Sequence, residues 1–177
     1  IELHENGLDI RFRIRENGVV ELADFSSQEV KKAIMEPKED ICYPAVEIHR
    51  SGTGSLNMHA YKNNINQSSV DFVYENHELK EQDGGKELEI VMVSTEKLKA
   101  VYHMRLFDGV PAVQTWTEII NEGSEDQGLT YVSSFMYQGI SRGGEKPYYK
   151  KTDIYVPFNS WCCEAQWQKY DAETLNL

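Results

Sequence analysis

Ala100-Val-Tyr-His-Met-Arg-Leu-Phe107 and Val113-Gln-Thr-Trp-Thr-Glu-Ile-Ile120, joined through Asp108-Gly109-Val-Pro111, decide the fold class. Both runs are rich in β-branched and aromatic residues and change character with a period of two, as a strand does when it shows alternate side chains to opposite faces. Asp-Gly with a following proline is turn chemistry. The stretch therefore predicts two long strands folded back on each other as an antiparallel pair.

The same grammar extends outward in both directions. Leu8-Asp-Ile10-Arg-Phe12-Arg-Ile14 alternates apolar and charged, and Glu16-Asn17-Gly18 turns it into a second run over 19–25, a hairpin signature. Further strands are predicted over 45–50, 70–78, 87–94, 98–107, 112–121, 129–140 and 152–156. Gly-rich punctuation at Ser51-Gly52-Thr-Gly54, Gln82-Asp-Gly-Gly85, Asn121-Glu-Gly123 and Arg142-Gly-Gly144 separates them. Helical turns are expected only at 27–35 and 162–170. No repeat and no linker divides the chain, so residues 1–177 are read as one all-β domain. Its strands each have one wet face, which predicts antiparallel sheets packed as a sandwich, with one or two short helical turns.

Composition narrows the function classes. With 29 Asp plus Glu against 18 Lys plus Arg, the formal charge of the 177 residues is −11. Such a surface repels phosphate backbones and anionic bilayers, so neither nucleic acid nor membrane is an expected partner. No apolar run reaches the roughly 18–20 residues of a membrane span. The first residues have neither a basic n-region nor an apolar h-region. Cys42, Cys162 and Cys163 form an odd set with one vicinal pair and no CxxC spacing, which reads as reduced thiols in a cytoplasmic protein.

Few residue groups suggest chemistry. Nucleophile elbow, P-loop and dinucleotide fingerprint are all missing from the sequence. His4, His49, His59, His77 and His103 show no helical i, i+4 ligand spacing, so no metal and no cofactor are expected. Glu118 alternates with Trp116 and Ile120 and belongs on a wet face or beside a cation such as Arg105 or Lys150. Between 155 and 167, Trp161, Glu164, Gln166 and Trp167 place two indoles, a carboxylate and an amide within seven positions. Aromatic faces beside hydrogen-bonding groups suit a sugar or the rim of an active-site cleft. They suit equally a structural corner whose indoles fill core. Either reading expects at least one indole to be shielded from solvent.

Several phrases, in order, resemble the N-terminal domain of family 36 glycoside hydrolases, the α-galactosidases. They are Pro44-Ala-Val-Glu-Ile48 with Ser51-Gly52, Lys86-Glu-Leu-Glu-Ile90, and Val101-Tyr-His-Met-Arg-Leu-Phe-Asp108-Gly-Val-Pro-Ala-Val113. Thr115-Trp116-Thr-Glu118, Asn121-Glu-Gly123, Leu129-Thr-Tyr-Val-Ser-Ser134-Phe and Val156-Pro-Phe-Asn159-Ser-Trp161 with Glu164-Ala-Gln166-Trp167 complete the set. The likeness covers roughly residues 40–177.

The resemblance implies a galactose mutarotase-like β-supersandwich, here partial. It implies a larger enzyme whose nucleophile and acid/base carboxylates lie in a (β/α)8 barrel of the same polypeptide, retaining hydrolysis of terminal α-galactosides, and a homo-oligomer. The present domain is then inactive alone. It braces the barrel, lines the cleft rim and takes part in assembly, with Trp161 and Trp167 at that interface. Two departures limit what carries over. Lys38-Glu-Asp40-Ile-Cys-Tyr43 lacks the Gly-Arg-Gly-Asp loop of many relatives. Met58-His59-Ala-Tyr-Lys62-Asn63 keeps only His59 and Lys62 of a His-His-Gly-x-Lys-His stretch, so these two are candidate rim residues. Two alternatives stay open: a stand-alone carbohydrate-binding sandwich module, and a mutarotase-like sugar epimerase.

Overall fold

The computed structural model describes residues 1–28, 42–53, 67–137 and 152–175. It is built of antiparallel strands, and its residues group into two compact units: one holds the elements from β1 to β9, the other holds β10 and β11.

The first unit opens with β1 (Glu2–Glu5), β2 (Leu8–Ile14) and β3 (Val20–Ser27), ordered β1-β2-β3. Asn6 and Gly7, at φ 51° and 82°, form the two-residue link from β1 to β2. Asn-Gly is the dipeptide that tolerates two positive φ angles in a hairpin turn. The strand ahead of it was not anticipated. The hairpin predicted over 8–25 is present, with a register shift between Arg11 and Phe12.

Four long strands make the second sheet: β5 (Val73–Gln82), β6 (Gly85–Val93), β7 (Leu98–Phe107) and β8 (Val110–Asn121), in sequential order. The pair that decided the fold class is β7 against β8, running from Leu98↔Asn121 to Phe107↔Val110. Gly85 starts β6 where nothing larger fits, because a Cβ there would lie 1.9 Å from the Leu106 carbonyl oxygen. The short β4 (Ile48–Arg50) pairs with β9 (Leu129–Val132).

The two larger sheets face each other across one core. Ile10, Phe12 and Leu22 from one meet Leu88, Ile90, Tyr102, Met104 and Leu106 from the other. Phe12 and Tyr102 touch edge to face at 5.7 Å between centroids. A bridge between Val19 and Val73 and the hydrogen bond from Tyr74 N–H to Gly18 O (2.8 Å) stitch one margin. Lys86 Nζ on Glu5 Oε1 (2.7 Å) and Gly109 N–H on Asn6 Oδ1 (3.0 Å) add cross-sheet links. The sandwich of antiparallel sheets read from the alternation is the observed architecture.

Several boundaries differ from expectation: the strand predicted over 45–50 covers only Ile48–Arg50, and the one predicted over 152–156 runs on to Ser160. Val70 ends a short helix, α1 (Gln67–Val70), and the strand starts at Val73. The helix serves as a clamp: Ser69 Oγ accepts the Ile48 N–H at 2.9 Å and donates back to the Ile48 carbonyl at 3.1 Å, while Ser68 Oγ accepts the Arg50 N–H. The predicted 129–140 strand pairs only as far as Val132, and its last residues lie outside the described ones. Of the helical turn expected at 27–35, Ser27 belongs to β3 and residues 29–35 lie outside the described ones.

Candidate functional site

The predicted site falls on the second unit, and there the helical expectation for 162–170 is corrected. Residues Cys163–Asp171 form strand β11, which pairs with β10 (Asp153–Ser160) from Asp153↔Asp171 to Ser160↔Cys163. Trp161 and Cys162 make the turn, with Cys162 at φ 60°. A register shift between Phe158 and Ser160 follows from the bulge beside Asn159, whose Oδ1 accepts the Ala165 N–H at 2.6 Å. The segment Cys163-Glu-Ala165-Gln-Trp167-Gln168 alternates apolar and polar with the period of two of a strand, a signal that the helical reading passed over.

Register sorts the candidates. Trp167 lies opposite Pro157 and shares a face with Tyr155 and Lys169. Gln166 and Gln168 point to the other face, with Phe158 and Tyr170, whose rings meet edge to face at 6.2 Å. Trp161 sits at the tip. The four residues singled out in the sequence therefore occupy one hairpin but do not converge: strand alternation sets Trp167 and Gln166 back to back. Tyr155, unremarked in the sequence, is the aromatic that shares the Trp167 face.

Both indoles are exposed, Trp161 at 94% and Trp167 at 65%. This corrects the expectation that at least one would be shielded. The physical reason is that a two-stranded ribbon offers no second layer, so a side chain on either face stays in water unless something covers it. Tyr155 and Phe158 are exposed as well. His59 and Lys62 lie outside the described residues.

A second constellation comes from tertiary pairing, and sequence spacing could not reveal it. On the outer face of the four-stranded sheet the register sets Glu78, Glu89, His103 and Trp116 in one row across β5–β8. His103 Nδ1 lies 2.9 Å from Glu87 Oε1 and 3.8 Å from Glu89 Oε1. The Trp116 indole stacks on the imidazole at 4.6 Å and 5°. Glu118 is on the wet face, as expected, and His103 Nε2 lies 3.9 Å from it, while Arg105 donates to the Asp83 carbonyl. Lys150 lies outside the described residues. Glu87 and His103 are buried, a placement that needs pairing to be tolerated.

A third pair sits on the small sheet. His49 Nε2 is 2.6 Å from the Glu47 carboxylate, and the His49 ring packs beside Tyr131 at 5.1 Å. Carboxylate-held imidazoles can move protons. The hydrogen bonds recorded for the pair tie it into the β4–β9 junction, where Glu47 N–H donates to Ser133 Oγ at 2.8 Å and Thr130 Oγ1 donates to the His49 carbonyl. Cys42, Cys162 and Cys163 are free thiols. Among the described residues no helix is long and apolar enough to cross a membrane. No protein-family model matches the chain, and no curated protein matches it.

Proposed function

We propose that this chain is the non-catalytic N-terminal domain of a cytoplasmic α-galactosidase, supporting a (β/α)8 catalytic domain of the same polypeptide, its cleft rim and its subunit assembly. The observation that carries the reading is the β10–β11 hairpin, which holds Trp161, Trp167, Tyr155 and Phe158 in water on a ribbon with little burial of its own. Large aromatics displayed together are anchors for a partner surface. The ordered phrases shared with family 36 glycoside hydrolases and the antiparallel sandwich of the first unit point to the same class. The bond-breaking carboxylates then belong to the barrel, where α-galactosides are hydrolysed with retention.

The test uses the enzyme that carries this domain. Trp161→Ala with Trp167→Ala is expected to lower kcat/KM for a nitrophenyl α-galactoside or to reduce the oligomer mass. Unchanged kinetics with unchanged mass would refute the assignment, as would turnover of that substrate by residues 1–177 alone.

A second reading is favoured by one feature, the shared face of Trp167, Tyr155 and Pro157, which resembles a stacking platform for a sugar ring. Titration calorimetry with galactose, melibiose and raffinose separates the two. A dissociation constant below about 1 mM for the isolated chain would favour a stand-alone binding module.

A further inference from the structure

We infer that the outer face of the four-stranded sheet holds a divalent transition-metal site with Glu87, Glu89 and His103 as its protein ligands. The site lies wholly within the first unit and is independent of the hairpin reading. One ligand atom from each residue lies within 4.8 Å of the others. With His103 Nδ1 at 2.9 Å from Glu87 and 3.8 Å from Glu89, a point equidistant from all three falls about 1.9–2.4 Å from each. That range contains the lengths of Zn–N and Zn–O bonds, so a cation fits with little movement of the ligands.

Each ligand is also held from behind. Gln82 Nε2 donates to Glu87 Oε2 at 2.8 Å, and Lys80 Nζ grips Glu89 Oε2 at 2.5 Å, leaving both Oε1 atoms turned to the imidazole. The Trp116 ring fixes the plane of His103. Outer contacts of this kind orient metal ligands and tune their basicity. The donor set, one imidazole and two carboxylates, suits zinc or manganese.

Both edges of the imidazole meet carboxylates. The His103 side chain is 9% exposed, and its Nε2 is buried without a hydrogen-bond partner. Its Nδ1 edge meets Glu87 and Glu89, while Nε2 has only the Glu118 carboxylate at 3.9 Å, beyond hydrogen-bond reach. A metal ion on Nδ1 leaves the ring N–H at Nε2, on the Glu118 side.

The experiment is calorimetric titration of Zn2+ into untagged residues 1–177 carrying Cys162→Ser and Cys163→Ser, so that the exposed vicinal thiols do not capture the probe. One ion per chain is expected, with a dissociation constant below about 100 µM. Glu89→Gln, which keeps the side chain's size and an oxygen, should weaken binding by at least about tenfold. Ring 15N shifts should place the metal on His103 Nδ1 and the proton on Nε2. Three results would each overturn the inference: no heat up to about 1 mM Zn2+, equal affinity in Glu89→Gln, or a His103 ring that stays protonated on both nitrogens in excess zinc. The last would identify the cluster as a closed ion-pair network.

Discussion

Replacing Trp161 by Ser and Trp167 by Thr together should barely change the stability of the isolated chain while removing most of its capacity to dock. A tryptophan side chain has about 200 Å² to bury. At 94% and 65% exposure the two indoles leave about 300 Å² in water. At about 25 cal/mol per Å², covering that area contributes up to about 8 kcal/mol to association, before the entropic cost of binding is subtracted. The area already shielded is about 80 Å², nearly all from Trp167, so the isolated chain loses at most about 2 kcal/mol. Threonine at 167 keeps the β preference of the position. The assay is urea unfolding followed by far-UV circular dichroism, with acrylamide quenching of fluorescence. The chain has three tryptophans, and the variant retains only Trp116, half-buried and stacked on His103. Its emission should shift to the blue and resist quenching relative to the parent. A stability loss above about 3 kcal/mol, or indoles already protected from acrylamide, would show that they are packed, and the docking argument would fail.

Three further outcomes follow from the first unit. Phe12→Ala removes an inter-sheet ring in contact with Tyr102 and should cost about 3–5 kcal/mol, read as a lower urea midpoint with an unchanged slope; a loss under about 1 kcal/mol would mean the two sheets do not pack there. Ser69→Ala strips the Ile48 N–H and carbonyl of a shared buried partner and should cost about 1–3 kcal/mol by the same measurement, whereas an exposed-site value near zero would contradict the clamp. Burial, reinforced by the charge of Glu21, pushes the Cys42 thiol up to about 11, so at pH 8 iodoacetamide should modify exposed Cys162 and Cys163 well before Cys42. Its labelling rate should rise about tenfold per pH unit until that range is reached, and equal rates at pH 8 by mass spectrometry would refute the assignment. The sign for stability follows: a thiol kept neutral by the fold contributes stability that is present below its ordinary value of 9.0 and is lost as pH rises toward about 11.

The segment 98–121 could be read because β7 turns Leu98, Ala100, Tyr102, Met104 and Leu106 inward, and one buried face writes a period of two into the residues. Cys163–Asp171 is nearly all exposed, yet Cys163, Ala165 and Trp167 alternate with Glu164, Gln166 and Gln168, a period of two that the helical reading missed. The short strand Glu2–Glu5 did carry a signal, the Asn6-Gly7 dipeptide, which went unread.

What the residues alone determined was an antiparallel all-β chain, acidic, with its strongest aromatic signal between 155 and 167. Tertiary structure alone decided that Trp167 and Gln166 face opposite ways and that both indoles stand in water. It also decided that Glu87, Glu89 and His103, up to sixteen residues apart, come within hydrogen-bonding and ligand distances. The reason is that periodicity reports which face a residue occupies, whereas register between strands sets who its neighbours are, and register is a property of pairing that no single strand contains.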